Sequence, residues 1–222
     1  MAGDQHSDLP GEPAVSPGGA ADAFYRCPEN TARHERNLPH WQQDGVWVFV
    51  TWRLADALPA SLLRRWHQER ENWLRAHPAP RDAATEAEYH RLFSRQVEAW
   101  LDEGRGSCLL RDPGNATIVG NALRHFDAKR YALGPFVVMP NHVHVLFRLL
   151  QGHRLESVLK SWKGYTAREI NRLAGRSGAL WQEEYWDRLV RSGPHWQRCA
   201  RYIRDNPSRA RLPEGAYLLG GV

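Results

Sequence analysis

Cysteine is scarce in this chain: Cys27, Cys108 and Cys199 are the three in 222 residues, far apart and without metal-type spacing. That excludes a disulfide scaffold and a cysteine-built metal centre, and it suits a reduced, cytoplasmic protein. Long apolar runs are missing too. None approaches the roughly 18–20 residues that cross a bilayer, so no membrane partner is expected. The N-terminus opens polar and acidic, which resembles neither a secretory signal nor a transit peptide. Internal repeats are absent.

What is present is a hydrophobic share of 42%, enough for a real core, on a length that suits one domain with an insertion or a tail. The formal net charge is +5, and its distribution says more than its sum. Between Lys160 and Arg211 stand twelve Lys and Arg against five Asp and Glu, so this stretch carries +7 and the remainder −2. A basic segment of that kind suits a polyanion, and Trp162, Trp181, Trp186 and Trp196 within it offer stacking platforms for unpaired bases. Solvated arginines and core tryptophans would produce the same composition.

The first forty or so residues are rich in Gly, Pro, Ala and Asp and show no periodicity, which predicts a disordered or loosely attached arm. Residues 46–52 are β-branched and aromatic, a first strand. Helical spacing of apolar residues follows over 61–76 and 85–103, broken by His77-Pro78-Ala79-Pro80. Asp112-Pro113 reads as an N-cap and first helical proline, opening a helix to about 126. Strands are expected over 131–139 and 143–149, a helix over 155–173 and a short strand over 185–191. Gly193-Pro194 starts a last helix, expected to stop near Asn206 because Pro207 disfavours helical geometry before it. This order predicts an α+β sandwich with an antiparallel sheet.

The chemistry lies in Met139-Pro140-Asn141-His142-Val143-His144-Val145-Leu146-Phe147. Side chains alternate along a strand, so His142 and His144 share one face while Val143, Val145 and Phe147 share the other. Two imidazoles held side by side can bind a divalent metal, and the pattern also serves two half-buried histidines in an ordinary strand. On the last helix Tyr202 and Asn206 are four apart, one turn along one face. A phenol, with a pKa of about 10, is a poor nucleophile near neutral pH. It attacks a phosphodiester when a metal polarises the phosphate. An amide oxygen one turn away can complete a site begun by two histidines, and oxygen ligands suit Mg²⁺ or Mn²⁺. A packed tyrosine and a helix cap would leave the same spacing.

The histidine block resembles that of the single-tyrosine HUH transposases, the IS200-like superfamily, and within it most closely the REP-associated tyrosine transposases. Three further blocks fit in order: Ser161-Trp162-Lys163-Gly164-Tyr165-Thr166-Ala167-Arg168, Leu180-Trp181-Gln182-Glu183-Glu184-Tyr185-Trp186-Asp187-Arg188, and Tyr202-Ile203-Arg204-Asp205-Asn206-Pro207. The resemblance implies a ferredoxin-like HUH sandwich over 45–212, a central antiparallel sheet with helices on its faces. It leaves 1–44 outside as an arm and 213–222 as a C-terminal tail. It also makes 59–106 a helical insertion after the first strand, one that the smallest members lack. Residue by residue it implies His142, His144 and Asn206 as ligands of Mg²⁺ or Mn²⁺ and Tyr202 as the nucleophile. Tyr165, on a helix beside Lys163 and Arg168, is the rival nucleophile.

The function so implied is metal-dependent cleavage and rejoining of single-stranded DNA at a hairpin or REP-like element through a 5′-phosphotyrosine. Lys163, Arg168, Arg172, Arg188, Arg191, Arg198 and Arg201 are the expected DNA contacts, with a salt-dependent contribution. Such a protein would work on the nucleoid, and the REP-associated members point to a monomer rather than a homodimer. Two rivals come from other classes. A hairpin-binding regulator without catalysis would bind and form no adduct, and a water-using metal phosphohydrolase would survive Tyr202→Phe.

Overall fold

The computed structural model describes residue 24 and residues 32–35, 39–42, 45–78 and 81–221. Its strands are β1 (Ala32–Glu35), β2 (Pro39–Gln42), β3 (Trp47–Arg53), β4 (Tyr131–Val138), β5 (His142–Leu149), β6 (Trp186–Leu189) and β7 (Leu218–Gly220). Its α-helices are α1 (Ala60–Ala76), α2 (Ala83–Tyr89), α3 (Arg95–Asp102), α4 (Pro113–His125), α5 (Leu155–Leu173) and α6 (Gly193–Arg209). β1 and β2 pair antiparallel with each other. The rest of the expected arm over 1–44 lies mostly outside the described residues.

The main sheet is antiparallel throughout, in the order β6-β3-β5-β4-β7. Through β3, α4, β4, β5, α5 and β6 the chain runs strand, helix, strand, strand, helix, strand. With that strand order it is the ferredoxin-like sandwich that the sequence resemblance implied. Period-two alternation sorts the strands into two faces. Val48, Val50, Trp52, Phe136, Val138, Val143, Val145 and Phe147 join a larger core with α4 and α5. Trp47, Val137, Met139 and Leu146 pack on the other face with Trp196, Cys199, Ala200 and Ile203 of α6. Both helix starts follow their sequence signals. Asp112 accepts the Asn115 N–H at 3.0 Å and Ser192 the His195 N–H at 3.2 Å, each followed by a first-turn proline.

Three expectations are corrected. The last helix does not stop at Asn206 but runs to Arg209 with Pro207 inside it. The proline ring cannot donate to the carbonyl four residues back. The turn holds because the Ala210 N–H donates to Asn206 O at 3.0 Å and the Leu212 N–H to Pro207 O at 2.9 Å. Within 213–222, read as a tail, β7 is a fifth strand whose residues 218–220 pair with 136–138 of β4. The helical run over 85–103 is α2 and α3 joined by a π-helical turn, His90–Ser94.

The 59–106 segment is built into the domain. Leu63, Trp66, Phe93, Val97 and Leu101 belong to the larger core, and Trp66 stands edge-on to Trp186 of the edge strand β6 at 6.1 Å. No helix among the described residues is long and apolar enough to cross a membrane.

One hydroxyl ties three elements of that core together. Tyr131, fully buried in β4, donates to Leu123 O of α4 at 2.7 Å and accepts the Trp162 indole N–H of α5 at 3.0 Å. Tyr131→Phe leaves a buried carbonyl and a buried N–H unsatisfied, a loss of about 1–3 kcal/mol. Thermal unfolding should show Tm lowered by about 3–10 °C. An unchanged Tm would mean that the hydroxyl carries no net stability.

Candidate active site

The pairing of β3 with β5 sets Thr51 opposite His144 and Arg53 opposite His142. Cross-strand partners share a face, so these four side chains emerge together, on the α6 side of the sheet. Both histidines are 1% exposed, and their Nε2 atoms stand 3.0 Å apart. Burial holds both imidazoles well below their usual pKa, with the Arg53 charge adding to the effect on His142 and His142 to that on His144. They are neutral at pH 7, the form that ligates metals.

Asn141 determines how His142 carries its proton. The Asn141 amide nitrogen donates to Leu101 O at 3.2 Å and to Arg105 O at 3.1 Å, which uses both of its hydrogens. The amide oxygen therefore faces His142 Nδ1 at 2.7 Å and accepts its hydrogen. His142 is an Nδ1–H tautomer with its Nε2 lone pair free. The 3.0 Å contact then requires the hydrogen on His144 Nε2, and His144 Nδ1 accepts from the Thr51 hydroxyl at 2.7 Å. A hydroxyl both donates and accepts, so Thr51 can reverse its bond and move the His144 hydrogen to Nδ1. Both Nε2 lone pairs would then converge. Two ligands at about 2.1 Å in adjacent octahedral positions stand about 3.0 Å apart, so the observed spacing suits a divalent cation.

α6 closes the site from above. The Tyr202 ring meets His144 edge-on at 5.2 Å and Phe49 at 5.9 Å, and Phe49 stacks on His144 at 5.5 Å. Asn206, one turn on, is fully buried, and neither atom of its amide has a hydrogen-bond partner. The amide is close enough to lower the phenol's pKa slightly, yet it makes no hydrogen bond of good geometry, and the Tyr202 hydroxyl is likewise unpartnered. The net shift of the phenol is strongly upward. Burial is the main cause, helped by Glu98 and Asp102 of α3 and opposed by Arg209. The Arg209 guanidinium lies 5.6 Å from the Tyr202 ring centroid. Asp102 has a buried, unpartnered Oδ1, and burial pushes its carboxyl up to about 6.

His142, His144, Tyr202 and Asn206 thus meet on one face of the sheet. The other proposed residues divide. Arg188 on β6, Arg191 just after it, and Arg198 and Arg201 on α6 are exposed in the Tyr202 layer. Lys163, Arg168 and Arg172 lie on α5, which packs on the opposite face. There Lys163 Nζ donates to Gln182 O and Glu183 O, both at 2.7 Å, and Arg172 pairs with Glu169 at 3.0 Å. Tyr165, the rival nucleophile, is 46% exposed on that same helix, away from the histidines. Sequence reasoning missed Thr51, Arg53, Asn141, Glu98, Asp102 and Arg209. The alternation of Phe49, Thr51 and Arg53 was a usable signal, but it points to the histidines only once the register is known.

A histidine pair on the middle of a ferredoxin-like sheet, faced by a helix-borne tyrosine and amide, defines a class of α+β protein with one composite site. Residues 116–206 match the family model described as transposase IS200 like. This segment, which holds β4, β5, α5, β6 and Tyr202, is where the chain is similar to the IS200-like transposases. No curated protein matches the sequence. Among solved structures, a REP-associated tyrosine transposase bound to a REP hairpin is 14% identical, covering 77% of this chain and 71% of that one at a TM-score of 0.38. A protein of Deinococcus radiodurans R1 described as a candidate transposase is 17% identical, covering 72% and 89% at a TM-score of 0.31.

The Asn141 network makes a prediction that needs no ligand. Asn141→Ala removes the acceptor, so His142 should become a mixture of tautomers in ¹⁵N spectra of the imidazole. Asn141→Asp keeps an acceptor for Nδ1–H but turns an oxygen toward Leu101 O and Arg105 O. It should keep the tautomer while hydrogen exchange speeds up over 101–106. A single unchanged tautomer in Asn141→Ala would show that something other than Asn141 orients His142.

Proposed function

We propose that this chain cuts and rejoins single-stranded DNA at a hairpin or REP-like element, as a metal-dependent endonuclease and strand transferase with Tyr202 as nucleophile. One observation carries the reading: the Tyr202 ring stands against His144 of its own chain, with the unpartnered Asn206 amide one turn away. The match of residues 116–206 to the IS200-like transposase model supports DNA as the substrate. The four ordered motifs, closest to the REP-associated members, support a structured single strand. Resemblance to the REP-associated members supports a monomer working in cis. Its place of action would be the nucleoid, in the cytoplasm.

In the reaction the Tyr202 oxygen bonds to the scissile phosphorus and the bond from phosphorus to the 3′ oxygen breaks. DNA is left as a 5′-phosphotyrosine beside a free 3′-hydroxyl, and a 3′-hydroxyl of another strand can reverse the step. His142, His144 and Asn206 would hold Mg²⁺ or Mn²⁺, which when bound supplies charge stabilisation at the phosphate and the leaving oxygen. Asp102, with an unpartnered oxygen near the phenol, is the carboxylate suited to take its proton. Burial keeps the phenol protonated until that point, which guards it against idle reaction. Arg188, Arg191, Arg198 and Arg201 would steady the flanking phosphates.

The burial of both histidines and of the Tyr202 hydroxyl favours a second reading, a hairpin-binding regulator that performs no chemistry. A denaturing-gel assay separates the two. Labelled oligonucleotides tiling the DNA beside the gene are incubated with protein and Mg²⁺ or Mn²⁺. The proposed enzyme gives a shifted covalent band that chelator and Tyr202→Phe abolish and Tyr165→Phe leaves intact. Tight binding with no adduct under any condition would replace the enzyme by the regulator, and cleavage surviving Tyr202→Phe would point to water as the nucleophile.

A further inference from the structure

Arg53 ends β3 directly across from His142. Its side chain is 1% exposed, its guanidinium lies 4.2 Å from the Trp186 ring centroid, and its Nε and Nη1 have no hydrogen-bond partner. A buried arginine of ordinary structural purpose spends its donors on carboxylates or carbonyls. Here Glu184 is near enough to favour the charge slightly, but its own Oε2 is buried and unpartnered too. Burial is the stronger effect and lowers the guanidinium pKa to about 10. The fold therefore keeps an under-partnered cation beside the histidine pair.

Such a cation calls for an anion, and the planar fork of guanidinium matches the oxygens of a phosphate. Stacking on Trp186 occupies the flat face of the group and leaves its in-plane N–H edge for hydrogen bonds. Trp186 is itself buttressed by Trp66 of α1, so the insertion helps to fix the arginine's plane. We propose that Arg53 is a phosphate ligand, holding a non-bridging oxygen of the DNA phosphodiester admitted to the histidine pair. The proposal rests on the single-stranded DNA reading above. It separates Arg53 from exposed Arg198 and Arg201, which can meet any phosphate along a strand. A sealed arginine meets only the one that enters the site.

The test measures binding, in Tyr202→Phe protein so that bound DNA is not cut. The probe is a hairpin oligonucleotide with a single-stranded flank, and each flank phosphate is replaced in turn by a neutral methylphosphonate. Arg53→Gln should weaken binding of unmodified DNA about tenfold or more. At one position the methylphosphonate should produce a similar loss with Arg53 present and no further loss in Arg53→Gln, the non-additivity expected of direct partners. Arg53→Lys, which keeps a charge without the fork, should recover part of the affinity at that position. If Arg53→Gln fails to fold, as circular dichroism would show, the same scan on Arg53→Lys carries the comparison.

The proposal is overturned if losses multiply at every position or if Arg53→Gln binds like its parent. It is also overturned if Glu184→Gln reproduces the Arg53→Gln defect in full, which would mark a structural pair. Native protein that forms the Tyr202 adduct while the scan stays additive sinks the arginine alone. No adduct and no binding with any oligonucleotide sinks the DNA reading and the arginine with it.

Discussion

A slip of one residue between β3 and β5 would turn His142 and His144 into the larger core and carry Val143 and Val145 to the α6 face. The register is held against that slip from both sides of the sheet. On one face Val48, Val50 and Trp52 bury with Val143, Val145 and Phe147. On the other, Thr51 and Arg53 come opposite His144 and His142. Such a slip would drive two imidazoles into an apolar core while lifting two valines out of it, and would leave Thr51 and Arg53 without the histidines opposite them. Every property of the site follows from that pairing: the convergence of the two Nε2 atoms, the Thr51 relay, the Phe49 stack and the place of Arg53.

The register places the histidines, and the 59–106 insertion orients His142. The turn between β4 and β5 is gripped on several sides. Leu54 N–H donates to Asn141 O at 2.8 Å and Leu110 N–H to Pro140 O at 3.0 Å, while the Asn141 amide reaches Leu101 O and Arg105 O. The end of α3 is thereby coupled to the tautomer of His142 through one side chain. The same helix brings Glu98 and Asp102 toward Tyr202. A segment that reads in sequence as an addition to the domain is one wall of its site.

The parts legible in the sequence were those that depend on local geometry alone. Alternation put His142 and His144 on one face, and a four-residue spacing put Tyr202 and Asn206 on one helix face. The Asp112-Pro113 and Gly193-Pro194 signals placed two helix starts. What depends on contacts distant along the chain was not legible. Tyr165 and Tyr202 both lie on basic amphipathic helices, and only the sheet face each helix covers tells them apart. Lys163 reads as a phosphate contact, yet its ammonium is committed to two carbonyls of the 182–183 loop. The role of Asn141 needs acceptors some forty residues earlier. β7 is three residues long and has too little pattern to announce a strand. Pro207 was read as a stop because proline disfavours helical geometry in the residue before it, but the helix runs on through it and the carbonyls of Asn206 and Pro207 find N–H partners in the turn beyond.

The site is also where the polar packing of this fold is least complete. Among the described residues, eleven buried side-chain nitrogen and oxygen atoms lack a hydrogen-bond partner, and seven of them belong to Arg53, Asp102, Glu184, Tyr202 and Asn206. Folded proteins satisfy nearly all such groups, since each one left unmade costs about 1–3 kcal/mol. Scattered defects would erode stability everywhere and serve nothing. Their concentration around one histidine pair, with positive, negative and neutral groups all represented, is the pattern expected where another molecule completes the network. A simple apolar pocket would present one kind of surface. This site presents a cation, carboxylates, an amide and a phenol, the set that a phosphodiester and a divalent cation can satisfy together. The tightly paired Asn141, Thr51 and His142 hold the frame rigid while the unpaired groups wait. Division of labour between a satisfied frame and an unsatisfied rim is what allows the fold to keep a costly site without losing its shape.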